Sequence, residues 1–330
     1  MDNLEKKFTV KKSIQYKSQI ALLIMTVSIF GLFMITSPEV FLKGRIYQSF
    51  LSTVPIMGVM ALGLTFVLAM GEIDLSFPSV MALSGFIFAI IFKATNNVVL
   101  AIICSLLSGV VVGFINGTLV TLIGIPSIVA TLGMQFLIRG FSNIISNGLA
   151  RTVVLDKTIS YKIFAEKLWV IPVQSIWFVG IAIFFYFLLL RHKFGEHVLF
   201  LGDNQEAAGM MGVNVKRTKI MVFILMAVIA SFAGILSCYR MRTWWPTMGE
   251  GYLMMVMAAT FVGGTSMFGG EASIEGTFIG AFIIGSLEAG IVAAGLSGFW
   301  TQFICGVLII VSVIIHTLAK RRKQGFKHQV

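Results

Sequence analysis

The stretch "MGEIDLSFPS", Met70 to Ser79, decides how this chain is interpreted, because it interrupts an otherwise apolar sequence. It follows "PIMGVMALGLTFVLA" and precedes "VMALSGFIFAIIF", and neither flank contains a charged residue. Several apolar runs of the chain approach or exceed the ~18–20 residues that cross a bilayer core as a helix. We therefore interpret the stretch as a polar break, carrying Glu72 and Asp74, between two membrane helices.

The composition supports the same class of protein over its whole length. Of 330 residues, 57% are hydrophobic and 12% are charged, and the mean hydropathy is +0.94. A soluble domain needs more polar surface, and a membrane β-barrel shows weak alternation instead of long apolar runs. The net charge of +11 is assigned to helix ends and to the cytoplasmic side of a membrane, not to nucleic-acid binding. Cys104, Cys238 and Cys305 have no metal-ligand spacing and are predicted to be core residues.

We predict an all-α polytopic membrane protein with about ten transmembrane helices and glycine-rich helix breaks. An even number of spans puts both termini on one side, and 15 of the 25 lysines and arginines fall in the two tails and in the segment 191–219. This bias predicts that both termini are cytoplasmic (N-in, C-in), and no cleavable signal peptide is evident. The predicted division is a tail at 1–18, a transmembrane domain at 19–318 with a cytoplasmic loop at 191–218, and a tail at 319–330. The predicted spans are 19–36, 50–70, 78–95, 98–120, 126–145, 172–190, 219–239, 252–268, 276–294 and 299–318.

Glycine has two uses in the sequence. Gly109, Gly113 and Gly117 recur every four residues on one helix face, which predicts close helix packing. A second break, "VGGTSMFGGEASIEGTFIG" from Val262 to Gly280, repeats the pattern of apolar helix, glycine-rich break with carboxylates, and apolar helix. Such echoes occur in transporters built from repeats with interrupted helices.

The longest polar loop, "RHKFGEHVLFLGDNQEAAGMMGVNVKRTK", runs from Arg191 to Lys219. Within it "DNQEAAGMM" predicts a short helix, with Asp203 or Asn204 as the N-cap and Gly212 at its end. A short helix with small residues on one face suits docking into a groove on another protein. A merely solvated loop is the alternative that this pattern leaves open.

Four motifs together resemble one family, the permease subunits of bacterial ABC importers for ribose and related monosaccharides, within the ribose and branched-chain amino acid permease group. The similarity extends over roughly residues 50 to 318. Each motif alone is weak, because glycine-rich apolar sequence is common, but the four keep the family's order and spacing. They are "GEIDLSFPSVMALSG", "GIPSIVATLGMQFLIRG", "LGDNQEAAGMMGVNVKRTKI" and "FVGGTSMFGGEASIEGTFIGAFIIG".

The resemblance implies a set of partners in the bacterial cytoplasmic (inner) membrane. They are a second permease chain, in a homo- or heterodimer, two cytoplasmic ATPase domains, on one chain or two, that hold ATP and Mg, and an extracytoplasmic sugar-binding protein. The chain itself is expected to hold no cofactor, metal or catalytic residue. The resemblance also implies that the helix at 203–211 docks on the ATPase. The residues assigned to this coupling are Gly202, Asn204, Ala207, Ala208 and Gly212.

The candidate residues for a solute pathway or gate are Glu72, Asp74, Ser76 and Glu288. Asp74 is expected to cap or brace the helix near Pro78, with a solute ligand as the alternative. For Glu72 three partners stay open: the pathway, a basic side chain or the cytoplasm. Glu288 lies inside the ninth span, where a carboxylate is costly, so it is predicted to serve the pathway or a buried hydrogen bond.

The resemblance is imperfect at possible solute-facing positions. Glu72 stands where the family usually has glycine, and Glu288 stands where it usually has asparagine. Trp244 and Trp245 form an unexpected pair in the predicted outer loop. They are interpreted as an interfacial aromatic belt or as an outer-face contact that stacks on a sugar or holds the binding protein. The identity of the solute therefore stays open.

Two other classes of membrane protein share features with this sequence. The segment "GLSG" mimics an intramembrane serine protease, but Ser297 and His316, at opposite ends of one helix, would lie roughly 28 Å apart. A stand-alone secondary transporter or channel for a small polar solute is the main alternative. The sequence has no GxxxxGK[ST] motif for ATP hydrolysis. The polar loop at 191–218 favours the importer subunit, since an ion-coupled carrier needs no docking loop.

Overall fold

The fold is a bundle of helices, seen in a computed structural model that describes residues 24, 26–154 and 159–327. The tail predicted at 1–18 and the first residues of the predicted first span lie outside these residues. The helices are α1 (Thr26–Thr36), α2 (Pro38–Phe41), α3 (Gly44–Ala69), α4 (Phe77–Thr95), α5 (Val98–Thr118, continued by a π-helical turn at Leu119–Ile123), α6 (Ser127–Ser146), α7 (Ile159–Phe164), α8 (Val173–Leu190), α9 (Lys193–Asp203), α10 (Gln205–Met210), α11 (Val215–Met241), α12 (Tyr252–Val262), α13 (Ile274–Ala293) and α14 (Phe299–Lys327).

Strand structure is confined to two short antiparallel pairs in the described residues. β1 (Arg151–Thr152) pairs with β4 (Thr243–Trp244). β2 (Lys167–Leu168) pairs with β3 (Ile171–Pro172). The first pair matters for the site, because it joins the segment after α6 to the segment after α11.

The described residues include seven helices that are long and apolar enough to cross a membrane: α3, α4, α5, α6, α8, α11 and α13. Three shorter apolar helices, Thr26–Thr36, Tyr252–Val262 and Phe299–Ile314, coincide with the other predicted spans. The all-α membrane fold is thus confirmed in outline. The count of ten spans and the N-in, C-in orientation stay predictions.

Two asparagines explain where α4 ends and α5 begins. Asn96 adopts the left-handed conformation (φ 52°) as the C-cap of α4, a conformation that asparagine tolerates better than most residues. Asn97 caps the next helix, since its Oδ1 accepts a hydrogen bond of 3.1 Å from the backbone N–H of Leu100. The chain therefore passes from the end of α4 to the start of α5 within two residues.

The glycine ladder of α5 packs against α11, as predicted. A Cβ atom placed on Gly113 would lie 2.5 Å from Cα of Ile224, and one on Gly117 would lie 2.7 Å from Cα of Ile220. Such distances leave room for no side chain, so the two backbones are in direct contact. The larger residue numbers on α5 meet the smaller ones on α11, which makes the two helices antiparallel.

Several predicted boundaries are wrong. α3 begins at Gly44 and not at 50, and α14 continues to Lys327, beyond 318. The eighth span was expected at 252–268, but α12 ends at Val262, because Gly263 and Gly264 (φ 88°) turn the chain. The glycine-rich break predicted from Val262 to Gly280 marks this end correctly, and the predicted span overlapped it. The loop at 191–218 holds two helices, α9 and α10, instead of one, and Asp203 belongs to the first of them.

Candidate functional site

Three separate segments meet at one end of the bundle. The backbone N–H of Gly270, in the loop between α12 and α13, donates a hydrogen bond of 2.9 Å to the carbonyl of Ala69 at the end of α3. A Cβ on Gly269 would lie 2.7 Å from Cα of Gly202 in α9, and one on Gly71 would lie 3.9 Å from Cα of Gly269. We call these four residues, Gly71, Gly202, Gly269 and Gly270, the glycine junction. Through it the loop at 191–218 touches both predicted helix breaks by main chain alone.

The short helix α10 begins at Asn204, one of the two predicted caps. Asn204 Oδ1 accepts a hydrogen bond of 3.0 Å from the N–H of Ala207, and Gly212 (φ 86°) follows the end of the helix. Ala207 is exposed, whereas Ala208 is fully buried. Ala208 therefore packs inside this chain, and only Ala207 of this pair faces a possible partner.

The residues that sequence reasoning missed on this surface are methionines. Met210 is 89% exposed and Met211 is 62% exposed, directly after Ala207–Gly209. Flexible, polarisable methionines are common at docking surfaces. The signal was present in "GMMG", since two apolar residues at the end of a short polar-loop helix have no core to face.

Glu72 has a basic partner, one of its three predicted environments. Its Oε1 lies 2.5 Å from Nζ of Lys219, and both side chains are largely buried, at 16% and 12% exposure. Lys219 lies in the second turn of α11. The pair therefore ties the break after α3 to the helix that follows α10.

Asp74 braces the turn before α4. Its Oδ1 accepts hydrogen bonds of 2.7 Å from both the backbone N–H and the Oγ of Ser76. Ser76 Oγ in turn accepts a bond of 2.8 Å from Asn116 Nδ2 on α5. Asp74 and Ser76 are at most 1% exposed, so neither contacts solute in this conformation. The geometry supports the brace and gives Ser76 the same role.

Glu288 lies apart from these residues. It is exposed on α13, so the expectation of a buried hydrogen bond is wrong. The described residues contain no ion pair of Glu288. It stands nearer the end of α13 that faces away from the glycine junction. The four predicted pathway residues therefore form no single cluster: Glu72, Asp74 and Ser76 are close together and Glu288 is separate.

The two tryptophans differ. Trp244 is fully buried, and its Nε1 donates a hydrogen bond of 2.7 Å to the carbonyl of Ala82. Its burial removes it from the candidate outer-face contacts and from an aromatic belt, because neighbouring helices and the β1–β4 pair cover it. Trp245 is partly exposed and stays a candidate.

The fold and these contacts define a class: a polytopic helical membrane protein with broken helices and a polar loop that contacts both breaks. Comparison with known proteins agrees. Residues 46–313 match a family described as the permease component of the branched-chain amino acid transport system. The chain belongs to this family and is a multi-pass protein of the inner membrane.

Individual relatives cover nearly the whole chain. The L-arabinose ABC transporter permease of Azospirillum brasilense is 33% identical over 91% of this chain and 87% of its own length. The ribose import permease of Escherichia coli K12 is 31% identical over 93% and 95%. The D-allose transport permease of the same strain is 32% identical over 91% of each chain. No solved structure matches.

Proposed function

We propose that this chain is the membrane-spanning permease subunit of an ABC importer and that it passes a monosaccharide or a related small polar solute. Support comes from the three relatives, which import L-arabinose, ribose and D-allose. The chain's own residues do not name the solute. We expect specificity to rest mainly with a sugar-binding protein that delivers the solute to the permease.

The observation that carries this proposal is the contact of the loop at 191–218 with both helix breaks at the glycine junction. An importer driven by a separate ATPase needs a route from the docking surface to the membrane helices. Here α10 exposes Ala207, Met210 and Met211, and the adjoining α9 touches both breaks through Gly202. Movement of a partner bound to α10 would therefore reach the helices that end at Ala69 and begin at Ile274.

The proposal includes three kinds of partner. An ATPase pair that carries ATP and Mg docks on α10, so the junction end of the bundle is cytoplasmic. A binding protein docks at the opposite end of the bundle. A second permease chain completes the membrane domain. ATP binding moves α10, and the path alternates between outward and inward access because its two conformations bind the partners differently.

Solute uptake in proteoliposomes tests the proposal. Vesicles carry this chain together with the ATPase and binding protein encoded beside it, and labelled pentoses, hexoses and polyols are offered with each partner present or absent. We expect uptake only when ATP and both partners are present. Uptake by this chain alone would contradict the proposal and favour a stand-alone carrier or channel.

A further inference from the structure

The segment between α11 and α12, residues 242–251, does not run across the end of the bundle but turns back into it. Trp244 Nε1 bonds to the carbonyl of Ala82 on α4. A Cβ on Gly249 would lie 2.5 Å from the carbonyl oxygen of Pro78, in the first turn of the same helix. The segment therefore follows α4 backward, from the second turn of that helix to its first turn. We call residues 242–251 the re-entrant segment.

An arginine inside a membrane helix holds the re-entrant segment in place. Arg139 Nη1 donates hydrogen bonds of 2.7 Å to the carbonyl of Pro246 and 2.8 Å to that of Met248. Its Nη2 donates a longer bond of 3.4 Å to the carbonyl of Pro78. Arg139 lies well inside α6, away from Ser127 and Ser146. Irregular backbone at membrane depth needs such internal partners, because lipid offers none.

The length of α12 shows how deep the segment reaches. α12 has 11 residues, about 16 Å of helix, which is roughly half of the ~30 Å hydrocarbon core. α12 ends at the glycine-rich loop, which lies at the junction end of the bundle. Its first residue, Tyr252, therefore lies near mid-membrane. The re-entrant segment replaces the other half of this span.

The contacts between α12 and α13 place Glu288 at the same depth. A Cβ on Gly263 would lie 2.6 Å from the carbonyl carbon of Gly276, and Gly280 faces the carbonyl of Ala259 four residues earlier on α12. The helices are thus antiparallel with steps of four residues, and the same register carries Tyr252 to the level of Glu288. The two side chains also interact electrostatically.

Three polar side chains in this region are uncovered within the chain. Thr247 and Glu250 of the re-entrant segment and Glu288 of α13 are all exposed. Arg139, already bonded to carbonyls, interacts electrostatically with Glu250, and Arg240 interacts with Tyr252. Lipid tails cannot solvate two carboxylates at this depth, and intramembrane carboxylates face a bundle interior or a water-filled cavity.

We infer that Thr247, Glu250 and Glu288 line a water-filled part of the solute path, an inference that rests on the proposed function. The wall includes the re-entrant segment, which closes the space between the start of α4 and the start of α12. Carboxylates accept hydrogen bonds from hydroxyl groups and repel anions of the same sign. This wall suits a neutral polyhydroxyl solute and disfavours one that carries phosphate or carboxylate groups.

Thiol accessibility in the assembled complex tests the lining. Cys104, Cys238 and Cys305 are first replaced by alanine, and single cysteines are placed as Thr247→Cys or Glu250→Cys. The probe is a charged, membrane-impermeant methanethiosulfonate. The matched control is Val111→Cys, an exposed apolar position on α5. It lies between Ser105, which bonds to Ser84 of α4, and Asn116, which bonds to Ser76 just before α4, so it is at a similar depth.

We expect both test cysteines to react at least about tenfold faster than Val111→Cys, since water is absent from a lipid-facing surface. Reaction as slow as that of the control would overturn the inference, and so would a cross-link between equivalent cysteines of two copies, which would show a second chain in this place. The labelling needs no knowledge of the solute. A complex that labels as expected but fails to import any sugar would leave the lining intact and contradict the sugar proposal.

The role of Glu288 has its own readout. At Thr247→Cys, the rates with a trimethylammonium reagent and with a sulfonate reagent are compared, each divided by its rate with a free thiol. Adding Glu288→Gln removes one negative charge, so the cation-to-anion ratio should fall severalfold. An unchanged ratio would place Glu288 outside the space that Thr247 faces, even if the double variant imports normally.

Discussion

Glu72 and Lys219 form an ion pair with 2.5 Å between Oε1 and Nζ, which joins the break after α3 to the second turn of α11. The carboxylate of Glu72, where the family that this chain resembles usually has glycine, pairs with a lysine from another helix, close to the glycine junction. Since both side chains are largely buried, the pair is shielded from solvent more than a surface pair.

Breaking this pair should destabilise the permease. We expect Glu72→Gln to lower the free energy of unfolding by about 1–2 kcal/mol, between the values typical of exposed and buried pairs. A double-mutant cycle with Lys219→Met, followed by thermal unfolding, isolates the coupling. Glu196→Gln, an exposed residue of α9, is the control. A coupling energy of zero would show that the two charges act independently.

Replacing a glycine of the junction should impair coupling between ATP hydrolysis and transport without unfolding the protein. In Gly202→Ala the new Cβ would overlap the carbonyl oxygen of Ala69 and the amide of Gly270. Overpacking of this kind costs about 1–3 kcal/mol, so we expect solute transport per ATP hydrolysed to fall on the order of tenfold. Gly209→Ala is the matched control, because its Cβ meets only Val215 Cγ2, at 3.9 Å. Equal transport by the two variants would exclude Gly202 from coupling.

The methionines of α10 predict where the ATPase binds. Met210→Ser should weaken ATPase binding to the permease about fivefold or more, since a central apolar anchor is often worth over 1 kcal/mol. Pull-down of the ATPase by the purified permease measures this. Leu149→Ser, which is 59% exposed at the opposite end of the bundle, should bind normally. Full binding by Met210→Ser would move the docking surface away from α10.

The hydrogen-bond chain from Asp74 to Asn116 predicts a stability effect. Ser76→Ala leaves Asp74 Oδ1 and Asn116 Nδ2 buried without the Ser76 hydroxyl, and each such loss costs about 1–3 kcal/mol. Ser286→Ala is the comparison, because that buried hydroxyl donates only to Ile283 O of its own helix. We expect a clearly lower thermal midpoint for Ser76→Ala alone. Equal midpoints would mean that water replaces the missing hydroxyl.

The sequence prediction of the fold rests on the lengths of the apolar runs and on the spacing of the glycines. Helices end within a few residues of the predicted spans where a polar or left-handed cap follows, as at Asn96. The start of α3 at Gly44 lies well before the predicted start at 50. The predicted eighth span ran to residue 268 although the predicted glycine-rich break starts at Val262, and the structure ends α12 at the start of that break. Length alone cannot separate a full span from a half span followed by a buried turn.

The candidate site was predicted less completely, for reasons of distance along the chain. Asn204 was found by local capping rules, whereas the pairing of Glu72 with Lys219 joins residues far apart in sequence. Trp244 looked like a loop residue because its burial depends on α4 and β1. Arg139 carried a signal that could have been used: an arginine inside a predicted span needs internal partners, and these partners are the carbonyls of the re-entrant segment.

The glycine junction has a mechanical consequence. Side chains can change rotamer and so absorb a displacement, but the contact of Gly202 with Gly269 and Gly270 is between main-chain atoms at van der Waals distance. Main-chain atoms in such close contact cannot move past one another by a change of side-chain rotamer. A shift of α9 would therefore be passed to both helix breaks together, because no side chain lies between them to absorb it.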